Sequence, residues 1–257
     1  ALSQYQYVAN IPVRLVDPDG MKIKYDVEDA SQLRELRKTK RELKRNSPDF
    51  RKMWKALRKS ESVFTISAGR AQQKELDANG NAGEFRGKYG TISKTTEVSE
   101  YSGESKTTTV RTPTESMGGT ILLSTDVLAP PGGAYLQKVL TEEVAHAGQY
   151  ELASRGSKGE IYSDHQGILD SEFEAKVITG RVLSQMGTFD QVTLGKKDKL
   201  PFEFGHSGGD RNSYGSQFSS WLNRIDALGG YGPNKVTSSS PGAVTNTSPT
   251  LLLSILN

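Results

Sequence analysis

Residues 140–151, LTEEVAHAGQYE, place two glutamates, a histidine and a glutamine at intervals that a helix turns into neighbours. Glu142, His146 and Gln149 stand at i, i+4 and i+7 and so share one face, with Glu143 beside it, three residues before His146. Leu136, Val139, Leu140, Val144 and Ala147 mark the face expected to be buried. Carboxylates and an imidazole gathered in this way can hold a cation or move protons. A second helical pattern, ILDSEFEAKVITGRVL, carries Glu172 and Glu174 amid an apolar stripe of Ile168, Phe173, Val177 and Val182. His165 lies in the loop YSDHQG just before it and could swing in as a substitute ligand; His206 lies in the glycine-rich GHSGGD.

TEEVAH differs by one ligand from the HExxH helix of zincin peptidases: Glu142 stands where the first histidine belongs. SEFEAK resembles the E-x-x-A-D segment that supplies the glutamate ligand in membrane-associated gluzincin peptidases, with Lys176 in place of the usual aspartate. AHAGQY is similar to the H-A-x-Q endings of metallopeptidase-like toxins at RHS C-termini. Together these segments cover about 115–190. The resemblance implies an α+β, zincin-like fold: a small mixed or antiparallel sheet, an active-site helix and a second, glutamate-bearing helix. It further implies Glu142, His146 and Glu172 as metal ligands, with Glu143 as the catalytic base acting on metal-bound water. Glu174, Gln149 and His165 are additional candidates, and His206 or Tyr214 would face the oxyanion. Zinc is the expected ion. One imidazole with two carboxylates is a harder, more anionic set than two imidazoles and a carboxylate, so it suits manganese or iron comparatively better.

The N-terminal stretch YQYVANIPVRLVDPDGM is similar to the closing segment of rearrangement-hotspot (RHS, YD-repeat) proteins, Y-x-Y-x-x-N-x-P followed by D-P-x-G. The match falls on Tyr5, Tyr7, Asn10, Pro12, Asp17, Pro18 and Gly20. The resemblance implies that residues 1–21 close a repeat shell around a C-terminal toxin. It also implies aspartyl self-cleavage around Asp17, Asp19 and Met21, which needs an upstream D-P-x-G that these 257 residues lack. A toxin of this kind is secreted or injected as part of a larger effector. It acts on a target-cell protein, and a cognate immunity protein restrains it. The N-terminus shows no basic-then-apolar signal segment, and no run of eighteen apolar residues is present to span a membrane.

Composition bounds the remaining choices. Cysteine is absent, which excludes disulfides and thiolate ligands and leaves His, Asp and Glu for any metal. Hydrophobic content of 34% and a mean hydropathy of −0.56 indicate a modest core with extensive loops. The net charge of +3 conceals an uneven distribution: residues 22–59 hold fourteen Lys and Arg against six Asp and Glu, about +8. That stretch reads as two amphipathic helices. Leu33, Leu36 and Leu43 set the apolar face of the first. Ser47 caps the second before Pro48, with Phe50, Met53, Trp54 and Leu57 inward. Their basic excess could hold nucleic acid, but acids interleaved along both helices favour ordinary solvated faces.

From residue 62 the period shifts to strands: SVFTISAG, KYGTISKTTEVSEY, KTTTVRT and GGTILLST, with DANGNAGEF between the first two as a glycine-rich turn. Helical patterns follow at about 134–153, 168–186 and 213–228, and the segment around His206 reads as loop. The organisation expected is 1–21 as the end of an RHS core, 22–60 as a basic helical segment, 61–228 as the toxin domain and 229–257 as a Gly/Ser/Pro tail. Three functions fit: a metal-dependent peptidase-like hydrolase, a nucleic-acid-directed toxin using 22–59, and a catalytically inactive interaction module.

Overall fold

The computed structural model describes residues 23–89, 92–101, 104–113, 116–155, 165–209 and 211–229. The RHS-like segment with Asp17, Asp19 and Met21, and the tail beyond Gly229, lie outside the described residues. Strand β1 (Ile23–Val27) leads into helices α1 (Ala30–Asn46) and α2 (Pro48–Lys59). The Asp29 side chain accepts hydrogen bonds from the Ser31 and Gln32 amides (2.7 and 3.0 Å), satisfying donors the first turn of α1 leaves open. Ser47 ends α1, and its hydroxyl accepts from the Phe50 amide at 3.1 Å to start α2 behind Pro48, as the spacing predicts.

Strand β2 (Val63–Ala68) and helix α3 (Arg70–Asn79) follow, then strands β3 (Gly83–Tyr89), β4 (Ile92–Tyr101), β5 (Glu104–Pro113) and β6 (Ser116–Leu123). One sheet has the order β1-β2-β6-β3. Its first three strands run parallel, with Tyr25 opposite Ile66 and Ile66 opposite Ile121, and β3 closes the edge antiparallel to β6. Strands β4 and β5 form a separate antiparallel pair. Helices α4 (Gly133–Arg155), α5 (His165–Met186), α6 (Lys199–His206) and α7 (Tyr214–Ala227) complete the chain. The expected α+β class with a small mixed sheet is what the chain adopts: seven helices and one four-stranded mixed sheet among the described residues.

Several local readings change. The glycine-rich DANGNAGEF is not all turn. It holds the end of α3, stopped at Gly80 (φ 68°), and the start of β3. His165 is the first residue of α5 rather than a loop residue, and His206 ends a short helix. No helix among the described residues is long and apolar enough to cross a membrane.

One core holds these elements together. Phe64, Ile66, Ile121 and Leu123 of the sheet meet Leu136, Leu140 and Val144 of α4. Leu36, Leu43, Phe50 and Trp54 of the two basic helices join the same cluster, so 22–60 packs with the remainder through its apolar faces. Each such side chain, fully buried, contributes about 1.5–3 kcal/mol. Phe173 of α5 gathers Tyr214, Phe218 and Trp221 around it at 5.1–5.4 Å, which docks α7. Helix α6 lies directly on α5. A Cβ on Gly205 would stand 1.9 Å from the Val177 carbonyl, and one on Gly180 would stand 2.2 Å from that of Phe202, so only glycine permits this approach.

Candidate acid–base and cation site

Helix α4 is buried nearly all round, pressed by β3 and β6 on one side and by α5 and the basic helices on others. Polar residues along it must therefore find partners within the protein. Glu142, Glu143, Gln149 and Glu151 are all buried on this helix.

The helices bring the sequence-identified pair together. His146 Nε2 of α4 lies 3.5 Å from Glu172 Oε1 of α5. On the other side of the ring, Nδ1 lies 3.0 Å from Gln149 Oε1. The Gln149 amide in turn donates to Glu174 Oε2 (2.7 Å) and to the Ser171 carbonyl (3.0 Å). Gln149 and Glu174 thus form a buried clamp that holds the imidazole and directs Nε2 at Glu172. The side chain of His165 is outside the described residues. His206 stacks on Phe189 (4.0 Å between ring centres), and Tyr214 packs edge-on against Phe173 in the core.

Two charged residues that sequence reasoning left out of the site, and one that it noted only as a departure, complete it. Lys176, one turn after Glu172, places its ammonium in contact with Glu142 Oε1, 3.3 Å from Asp198 Oδ1 and 3.5 Å from Glu172 Oε2. Lys138, one turn before Glu142, binds the other oxygen of that carboxylate at 3.1 Å. Both ammonium groups lie over the Phe202 ring, at 5.2 and 5.9 Å. The two places where the chain departs from the zincin pattern, Glu142 for histidine and Lys176 for aspartate, are therefore in direct contact. A lysine between Ala175 and Val177, at the head of the run AKVITGRVL, was the available signal, because a buried ammonium requires an anion. Asp198, from a loop ahead of α6, carried no sequence signal.

The two adjacent glutamates are driven apart electrostatically. Burial alone would raise the Glu142 carboxyl, but the ammonium groups of Lys176 and Lys138 overcome it and hold Glu142 well below the usual carboxylate range. On Glu143 the same two ammonium groups are outweighed. Burial raises it first, and the charges of Glu142 and Glu172 raise it further, so Glu143 keeps its proton well above the usual range. It lies against the start of the antiparallel edge strand, where a Cβ on Gly83 would come within 3.0 Å of Glu143 Cγ. Paired carboxyls with opposite shifts are the arrangement from which acid and base roles are built.

Zinc would need three protein donors converging at about 2 Å on one point. Among the described residues no group of three His, Asp or Glu side chains is arranged to hold an ion. The reason is local. Both oxygens of Glu142 already face ammonium groups, and Lys176 stands among the acids that would share the ion. The donor set does not fit a divalent cation while Lys176 keeps this position. Compared with family models, curated proteins and solved structures, the chain finds no match in any of the three.

Proposed function

We propose that the chain is an RHS-type effector domain that acts in a target cell as a peptidase-like hydrolase, through the acid–base groups between α4 and α5. The observation that carries this reading is the convergence of His146 and Glu172 to 3.5 Å, with Glu143, three residues before His146 on α4, a carboxyl that keeps its proton. Glu172 and the imidazole can accept a proton from an attacking water, and Glu143 can supply one to the carbonyl oxygen or leaving amine. The zincin-like name for the fold is supported by the element order, in which strand β6 leads into helix α4 and then the glutamate helix α5, and by the antiparallel edge strand β3 beside parallel strands. In a zinc-dependent form of the reading, Glu142, His146 and Glu172 would hold the ion, and Lys176 would have to leave its contact with Glu142. The RHS shell and an immunity protein are the partners this assignment implies.

The test is hydrolysis of an unfolded protein by the native chain and by Glu143→Gln, with chelator and with added zinc. Cleavage by the native chain, a loss of at least ~100-fold in Glu143→Gln and no response to chelator are expected. A chelator-sensitive activity would restore the zinc form. Absence of cleavage by the folded native chain would overturn the hydrolase reading in favour of an interaction module, for which the neutralised Glu142–Lys176 pair is the specific argument.

A further inference from the structure

None of the acids interleaved along the basic helices is fully exposed, although Glu35 lies 3.6 Å from Lys38. Asp49 is buried, 3.1 Å from Arg181 and in hydrogen-bond contact with Gln185. Glu35 and Glu42 are half-buried. Every exposed charged residue between 31 and 60 is a cation. On α1 the exposed cations are Arg34, Lys38, Arg41 and Arg45, whose steps of four, three and four residues keep them on one face. On α2 the exposed face includes Lys55, Arg58 and Lys59. The two helices pack against each other and both lay their apolar faces on α4 and α5, so their cationic faces point away from the core together. The Arg51 guanidinium donates to the Lys44 and Arg45 carbonyls (2.8 and 2.9 Å) and fastens the start of α2 to the end of α1.

We propose that the outer face of α1 and α2 is a nucleic-acid-binding surface that engages the phosphate backbone without reading sequence. The four cations of α1 span about 16 Å along the helix, which matches four to five phosphates of one strand at ~3.4 Å each. Chemistry decides between polyanions. The face carries no exposed large apolar side chain: Trp54, Phe50, Met53 and Leu57 are buried, and the exposed large hydrophobics among the described residues are Val63, Tyr135 and Leu228, none on these helices. A membrane-surface helix inserts its apolar face, and a protein interface centres on a desolvated cluster of aromatic and arginine anchors; the face has exposed arginines and lysines but no exposed aromatic or apolar side chain around which such a cluster could form. Phosphate needs only fixed cations, and α1 and α2 supply them.

The experiment is fluorescence anisotropy of the full chain with a labelled 20-base-pair DNA duplex and an RNA duplex of equal length, at rising salt. Four backbone contacts predict binding that weakens about 100-fold between 50 and 200 mM salt. The variant Arg34→Gln/Lys38→Gln/Arg41→Gln/Arg45→Gln changes exposed positions only, and circular dichroism confirms its fold. It should lose most of the affinity and flatten the salt slope. Lys55→Gln/Arg58→Gln provides an independent second variant with a smaller loss. Absence of duplex binding by the native chain, or binding unchanged in both variants, overturns the proposal. Binding to phosphatidylserine vesicles without duplex binding overturns it as well and assigns the face to a membrane.

Discussion

Lys176→Met removes the ammonium on which three acids converge and leaves a side chain of similar length. Lys176 is 4% exposed and Glu142 11%, whereas Glu172 and Asp198 are 24% and 27% exposed. The two more exposed carboxylates therefore recover most of their hydration from solvent when the lysine is lost. Glu142 cannot, and it is left with Lys138 alone at 3.1 Å. Removing one partner of a buried pair costs about 3–5 kcal/mol; the retained Lys138 places this case near ~3 kcal/mol. Urea denaturation at pH 7 reads the change as a shifted midpoint at unchanged slope. The double variant Glu142→Gln/Lys176→Met removes the stranded carboxylate, leaves Lys138 (14% exposed) facing a neutral amide instead, and should cost less than Lys176→Met alone. The folded Glu142 carboxyl lies below its unfolded value of 4.5, so it stabilises the protein above that pH and loses its effect as pH falls through the depressed folded value. Without Lys176 that depression shrinks, and acid unfolding should begin at higher pH. Added zinc should stabilise Lys176→Met through His146 and Glu172 while leaving the native chain unchanged. A cost below ~1 kcal/mol for Lys176→Met would refute the view that this ammonium is the resident cation of the site.

Glu143→Gln should be more stable than the native chain at pH 8, with the gap closing by pH 4. A raised carboxyl favours folding below its unfolded pKa, and that advantage is lost as pH rises toward the raised folded value; equal urea midpoints at pH 8 would contradict this. Gly205→Ala should cost about 3 kcal/mol, at the upper end of overpacking, because its Cβ would meet the Val177 carbonyl at 1.9 Å and backbone cannot give way as a side chain can. A urea midpoint change equivalent to less than ~0.5 kcal/mol would show that α5 and α6 separate freely.

The amphipathic spacing of α1 and α2, the Ser47 cap before Pro48 and the helices carrying Glu142 and Glu172 were legible in the sequence, because local periodicity and capping depend on residues within a turn or two. So was the approach of His146 to Glu172, though only through resemblance: the spacing shows that each lies on a helix, not that the helices meet. Helix α3 and strand β3 escaped because a glycine-rich segment reads as a turn whether or not strand pairing claims it, and β3 is claimed by the distant β6, Gly83 pairing with Leu123 and Tyr89 with Ser116. Which charges solvent sees along α1 and α2 was also undecided, since Glu35, Glu42 and Asp49 are interleaved with lysines and arginines in the chain, and packing alone half-buries the two glutamates and buries Asp49. The deepest part of the site was the least legible. Glu142 and Lys176 are each anomalous against the motif, and neither explains itself locally. Burial makes an unpaired charge costly, and the crossing of α4 and α5, with Asp198 brought in ahead of α6, supplies the partners. Pairing across helices is decided by where the backbone runs, and that is a property of the tertiary structure alone.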